Sequence, residues 1–93
     1  MLEETAIFFI PIINLDGYIR IGANWDKNFD LAEVRKNSHL YSSQEMCSSI
    51  GLGVDLNRNY AFMFGHDDNG SRGEDAPCED DYRGPSAFSE PET

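Results

Sequence analysis

The sequence predicts an α/β fold, built as a partial mixed β-sheet carried by long loops. Three observations lead there. Ala6-Ile7-Phe8-Phe9-Ile10-Pro11-Ile12-Ile13 is a continuous apolar run, the pattern of a strand buried on both faces in the middle of an α/β sheet. Leu52 to Leu56 forms a second short apolar run that ends in a polar cluster. The stretches between and after these runs are long and aperiodic, and loops of that length in a small domain are usually functional or disordered.

Taken in order, Pro11 falls near the C-terminal end of the first strand, because proline removes a ladder hydrogen bond from a central one. Asp16-Gly17 then turns the chain. Residues Ile21 to Ser49 mix Asn, Asp, Lys, Ser and isolated aromatics. They read as irregular structure with a short helical turn around Leu31 to Lys36. The second strand follows at 52–56. Tyr60-Ala61-Phe62-Met63-Phe64 supplies aromatic mass to pack beneath a loop, and His66 to Tyr82, rich in Gly, Asp and Ser, is that loop. Ser89-Glu90-Pro91-Glu92 has the spacing of a capping box with proline in the first turn, which predicts a helix start.

The chain has 93 residues and a formal net charge of −10. From Phe64 onward nine acidic residues face two basic ones, Arg72 and Arg83, so −7 of the total lies there. This balance argues against a nucleic-acid partner, whose phosphates must be neutralised by Lys and Arg. It reads as a solvated acidic face. The run 6–13 is too short to span a bilayer, so no membrane partner is expected, and Met1-Leu2-Glu3-Glu4 is acidic where a secretory signal is basic. Cys47 and Cys78 are too far apart for a CxxC metal or redox motif, and from spacing alone they could be free thiols or a bridge. Asn69-Gly70-Ser71 satisfies an N-glycosylation sequon and equally an Asn-Gly turn. Asp67-Asp68-Asn69-Gly70 is not a calcium loop, because the glycine in its required place puts Gly65 and Ala76 at the positions that need carboxylates.

The most informative run is Gly53-Val54-Asp55-Leu56-Asn57-Arg58-Asn59-Tyr60. A short strand here delivers an amide and a guanidinium to its exit, and together these can grip a carboxylate: Arg offers a planar fork and Asn a neutral donor. Upstream lie Pro11-Ile12-Ile13-Asn14-Leu15-Asp16-Gly17-Tyr18 and Val34-Arg35-Lys36-Asn37. Downstream lie Pro77-Cys78-Glu79-Asp80-Asp81-Tyr82-Arg83-Gly84-Pro85 and Ser86-Ala87-Phe88-Ser89-Glu90-Pro91-Glu92-Thr93. In this order and at these intervals the set resembles the zinc metallocarboxypeptidases of the carboxypeptidase A/B type, over nearly the whole chain.

The resemblance implies that residues 1–93 are the central part of a larger catalytic domain, a fragment of the carboxypeptidase α/β sandwich. Such a piece is expected to be marginally stable alone. It implies a hydrolase that removes the C-terminal residue of peptides and proteins. Arg58 and Asn57 would bind the free C-terminal carboxylate, and Arg35 would stabilise the tetrahedral oxyanion. Asp55 would orient a zinc-binding histidine from beyond the metal's own shell. Cys47 and Cys78 would form a disulfide, worth roughly 3.5–4 kcal/mol for a loop of about thirty residues, and hence an extracellular, secreted setting.

Zinc is the implied cofactor, yet its ligands are expected outside this stretch: neither His39 nor His66 has a Glu three residues on, and both read as surface loop residues. Structural roles compete at each position: a salt bridge for Arg58, an exposed loop arginine at 35, a cap for Asp55. The segment from Ser48 to Val54 is longer than is usual in the family. The alternatives to the enzyme are a non-catalytic carboxypeptidase-like protein that binds peptides, and a self-standing acidic interaction module.

Overall fold

The computed structural model describes residues 4–24, 34–49 and 51–93. Its regular elements among these are few. They are one helix, α1 (Leu15–Asn24), and two single 3₁₀ turns at Ser42–Gln44 and Leu56–Arg58. The radius of gyration is 15.1 Å, against about 12 Å for a compact domain of this length. The excess follows from how little apolar surface is buried.

α1 begins where a turn is predicted. Asn14 is its N-cap: the side-chain Oδ1 accepts from the Gly17 backbone N–H at 2.9 Å, and Tyr18 N–H donates to the Asn14 carbonyl at 3.1 Å. Asn is among the best N-caps, and Asp16 adds a favourable negative charge in the first turn. Gly17 is required sterically, since a Cβ there would lie 2.6 Å from the Asn14 amide. Tethers from α1 and its cap to other described residues include Asn14 Nδ2 to the Arg35 carbonyl (3.0 Å), Ser38 N–H to Asp16 Oδ2 (3.3 Å), and Arg20 Nη2 to the Ser49 carbonyl (2.5 Å).

The run at 6–13 differs from expectation. It is irregular, with bends at Pro11 and Ile13, and its side chains are open to solvent, with Phe8 and Phe9 more than 80% exposed (88% and 84%). A buried strand needs neighbours on both edges and a layer on both faces, and the described residues supply neither. The segment 52–56 is likewise no strand: Leu52 to Asp55 are irregular or bent, and Leu56 already opens the 3₁₀ turn. The predicted mixed sheet is therefore not present among the described residues.

What stands in its place is a row of single backbone links. Asn37 N–H donates to the Val54 carbonyl (3.0 Å) and Asp55 N–H to the Tyr82 carbonyl (2.8 Å). Arg72 forms an isolated parallel bridge with Tyr82. Each contact is one residue wide, too narrow to count as a ladder.

Other local expectations fare unevenly. Residues 31–33 of the predicted helical turn lie outside the described residues, and Val34 to Lys36 are not helical. In the aromatic stretch Tyr60, Phe62 and Met63 are exposed (42%, 88% and 57%), although the Tyr60 ring meets Phe88 edge-on with centroids 6.0 Å apart. Only Phe64 is covered, by the Arg83 guanidinium 5.7 Å from its ring centre. Ser89 does not cap a helix. Its hydroxyl accepts from Asn59 Nδ2 (2.8 Å) and donates to Glu90 Oε1 (2.9 Å), and residues 90–93 close as a turn.

The interior is polar. Val54, Leu56 and Tyr82 are the buried hydrophobics among the described residues, against six buried polar side chains: Lys36, Asn37, Gln44, Asp55, Asn59 and Glu90. These six are satisfied mostly by backbone, so loops that lack ladders are joined through side chains instead. Asn59 alone donates to the Arg83 carbonyl (2.8 Å) and the Ser86 carbonyl (3.0 Å), and accepts from Glu90 N–H (3.2 Å) and Thr93 Oγ1 (2.6 Å).

Candidate functional site

The site is organised by one carboxylate. Asp55 is buried beside Val54 and Leu56, and its two oxygens act differently. Oδ1 accepts from Asn57 N–H at 3.1 Å, which caps the 3₁₀ turn Leu56–Arg58. Oδ2 faces two guanidiniums, Arg35 Nη2 at 2.7 Å and Arg58 Nε at 3.9 Å. The Arg35 contact is an ion pair without the alignment of a hydrogen bond, and neither Oδ2 nor Arg58 Nε has an in-line partner among the described residues. The capping role and the salt bridge to Arg58, both competing readings at the sequence level, are thus present in the structure.

The four residues singled out from sequence therefore meet. Asp55, Asn57 and Arg58 come together because a 3₁₀ turn packs three residues into one tight rotation. Arg35 arrives from a separate segment, placed by its neighbours. Asn14 holds its carbonyl, Lys36 and Asn37 are both buried, and Asn37 brackets Val54 through N–H to the Val54 carbonyl and Oδ1 from the Val54 N–H (2.9 Å). Gly53 makes this approach possible. Its φ is +93°, and a Cβ there would collide with the Asn37 carbonyl.

The guanidiniums keep access to solvent. The Arg35 side chain is 47% exposed and that of Arg58 34%. Arg35 lines an open cleft of roughly 380 Å³ with Pro11, Ile13, Asn14, Tyr18 and Val34. The Asn57 side chain is exposed, with no hydrogen bond among the described residues. Two anchored arginines and a free amide form a cationic face that can take an anion with oxygen acceptors.

Behind this face the chain is stapled. Cys47 and Cys78 form a disulfide with their Cα atoms 5.3 Å apart, although the segment after Cys47 is long. Lys36 crosses the same junction: Nζ donates to the carbonyls of Gly51 (2.6 Å), Pro77 (3.1 Å) and Glu79 (2.9 Å) and lies 5.5 Å from the centre of the Tyr82 ring. Burial pulls its pKa down to about 8, against the pull of Asp80, Asp55, Glu79 and Asp81, so it remains largely a three-donor ammonium at neutral pH. Gln44 completes the staple, donating to the carbonyls of Gly53 and Pro77 (both 2.8 Å).

A second buried carboxylate, Glu90, receives Asn37 Nδ2 (2.6 Å), the Tyr41 hydroxyl (2.6 Å) and the Ser89 hydroxyl (2.9 Å), and lies 2.9 Å from His39 Nδ1. Burial alone would raise its pKa, but these four contacts outweigh it and hold the carboxyl below its ordinary 4.5. Burial and the Glu90 hydrogen bond raise the Tyr41 hydroxyl. Burial and a hydrogen bond to Glu74 (2.6 Å) push the Tyr82 phenol far above its usual range. His39 and His66 are exposed, as expected for loop residues, and His39 is held by Glu90.

Sequence reasoning missed Asn14, Lys36, Gln44 and Glu90. Asn14 was legible as an N-cap three residues before Gly17. The others carry no local signature, since their partners lie at sequence separations of up to 53. Among the described residues no group of three or more His, Cys, Asp or Glu is placed to hold a metal ion, so these residues do not themselves form a zinc site.

Comparison with known proteins shows the family. A family model described as zinc carboxypeptidase matches residues 1–93. Mast cell carboxypeptidase A of Homo sapiens is 31% identical over 93 residues, covering 100% of this chain and 19% of that protein. Carboxypeptidase B of Helicoverpa zea is 33% identical over 93 residues, with the same shares, 100% and 19%. An inactive metallocarboxypeptidase, ECM14, of Blastomyces gilchristii is 34% identical over 88 residues, 95% of this chain and 12% of that protein. The chain belongs to the zinc carboxypeptidase family, and it spans about a fifth or less of the length of these relatives.

Proposed function

We propose that this chain is the central part of a metallocarboxypeptidase catalytic domain and supplies that domain's anion-binding face. The observation that carries the reading is the convergence of Arg35 and Arg58 on the single buried carboxylate of Asp55. One fixed anion between two cations sets both guanidiniums side by side while leaving each partly solvated. Arg58, with Asn57 exposed beside it, binds the free C-terminal carboxylate of a peptide substrate. The Nε of Arg58 is turned toward Asp55, and its remaining N–H groups have no acceptor among the described residues, so they are available to the incoming carboxylate. Arg35, about half exposed, turns its guanidinium from Asp55 toward the oxyanion that forms when the scissile carbonyl is attacked.

The zinc in the family's name would be bound by side chains other than those described. Asp55 Oδ2 is buried without an aligned donor, which suits a carboxylate that accepts the N–H of a metal-binding imidazole. The Cys47–Cys78 bridge supports an oxidising, extracellular setting for the protein. Among the described residues no helix is long and apolar enough to cross a membrane.

A second reading has an observation in its favour: relatives named as inactive metallocarboxypeptidases match 95% of this chain. The same face would then hold a peptide C-terminus without cleaving it. Both readings are tested in the full-length protein with a peptide and its C-terminally amidated form. The enzyme reading expects turnover of the free acid and little of the amide. Arg58→Ala should reduce kcat/KM for the acid by on the order of 100-fold, as for loss of a buried charged contact. Arg35→Ala should lower kcat by about the same factor. The binding reading expects no turnover but tighter association of the free acid. Equal handling of acid and amide would remove the role given to Arg58.

A further inference from the structure

The sequon Asn69-Gly70-Ser71 takes no part in the anion-binding face, and the structure separates its two readings. The turn is made without the Asn69 side chain. Gly70 has φ +74°, and Asn69 N–H donates to Asp67 Oδ1 at 2.9 Å. The Asn69 side-chain amide is left out of the turn. It is exposed and has no hydrogen bond among the described residues. A Cβ built on Gly70 would meet nothing within 4 Å, so the space around the middle of the sequon is open. The loop itself is held from beneath. Arg83 Nη1 donates to Asp68 Oδ1 (2.7 Å), to the Asp67 carbonyl (3.3 Å) and to the Ser71 carbonyl. Arg72, the next residue, bridges to Tyr82. A clamped loop thus presents an unengaged amide at its tip, which is the geometry a large modifying enzyme and a bulky product both need.

We propose that Asn69 is an N-glycosylation site, an inference that rests on the extracellular setting given to the protein above. In the reaction the Asn69 Nδ2 displaces the diphosphate of a lipid-diphosphate-linked oligosaccharide from the anomeric carbon of its first sugar. One C–N bond forms, one C–O bond breaks, one proton leaves the amide, and the lipid diphosphate departs. The Ser71 hydroxyl, likewise without a hydrogen bond among the described residues, is free to be read by the transferase. The attached glycan extends from the exposed Asn69 side chain of the acidic loop.

The test is expression of the complete gene through the secretory route of yeast or insect cells, followed by peptide N-glycosidase digestion in ¹⁸O-labelled water. Because the succinimide of an Asn-Gly pair also opens with solvent oxygen, a parallel incubation in the same water without glycosidase distinguishes a removed glycan from spontaneous deamidation. The expected result is a mobility shift sensitive to the glycosidase, with the label at Asn69. That shift should be lost completely in Asn69→Gln and in Ser71→Ala, and retained in Ser71→Thr. The two losing variants alter different residues, so a folding failure in one does not obscure the other.

Thiol alkylation of Cys47 and Cys78 is measured on the same samples. A bridged protein with unmodified Asn69 overturns the glycosylation proposal and leaves the extracellular reading standing. Free thiols with unmodified Asn69 overturn both.

Discussion

The side-chain amide of Asn14 donates to the Arg35 carbonyl across 3.0 Å, while the oxygen of the same side chain caps α1 at Gly17. One residue thus fixes both the start of the helix and the backbone of an arginine 21 positions away. The two functions can be separated. Asn14→Asp retains an excellent cap but has no N–H to give Arg35, whereas Asn14→Ala loses both. Thermal denaturation should show about 1 kcal/mol of destabilisation for the alanine variant and less for the aspartate. On the enzyme reading proposed above, in which the Arg35 carbonyl tether sets the guanidinium's position, both variants should lower kcat of the full-length protein more than they raise KM.

Asp55→Asn tests the shared counter-ion. The asparagine oxygen can still cap Leu56–Arg58, so the local turn survives while the charge facing Arg35 and Arg58 disappears. Because the Arg35 side chain is 47% exposed, water screens part of the loss. The expected destabilisation is about 1–2 kcal/mol by chemical denaturation. Asp55→Ala should cost about 1 kcal/mol more, because the cap goes as well. Equal stability of the two variants would mean that the cap contributes nothing.

Glu90 makes stability depend on acid. Burial raises its pKa, but Tyr41, Asn37, Ser89 and His39 more than offset this, so the folded-state value lies below the ordinary 4.5. The unfolded chain therefore binds the proton first as pH falls. The contribution of Glu90 is complete above about 4.5 and is lost as pH drops through the lower folded value. Glu90→Gln should be less stable than the parent at neutral pH, with the gap closing below pH 4.5. Parallel unfolding curves for the two proteins across that range would contradict the assignment.

The staple at Cys47–Cys78 should be worth roughly 3.5–4 kcal/mol through restriction of the unfolded chain. Reduction, or the double change Cys47→Ala with Cys78→Ala, should lower the denaturation midpoint accordingly. Lys36 and Gln44 still link the same two loops by hydrogen bonds to Gly51, Gly53, Pro77 and Glu79. Amide exchange at 51–53 should therefore stay slower than in Gln44→Leu, which strands the carbonyl and the N–H of Gly53 and leaves the Pro77 carbonyl to Lys36 alone.

By itself the sequence determined the family, and with it the polar residues worth testing. It did so because chemistry at a site demands particular side chains at particular intervals, and Asp55, Asn57 and Arg58 sit within four consecutive residues. It also determined the cysteine pair and the exposed character of His39 and His66. Tertiary structure alone decided that Arg35 and Arg58 share one carboxylate, that Lys36 and Gln44 bind the loops beside the disulfide, and that Glu90 gathers four donors. Apart from Arg58 close to Asp55, Ser89 beside Glu90 and the glycines within nine residues of Gln44, those partners lie far apart in the sequence, and no periodicity encodes them.

The errors have the same origin. An apolar run such as Ala6 to Ile13 states what a segment would bury, while a strand exists only where another segment lies alongside to take its backbone hydrogen bonds. Here the described residues offer contacts one residue wide, at Asn37–Val54, Asp55–Tyr82 and Arg72–Tyr82, and buried polar side chains do the joining that a ladder would have done.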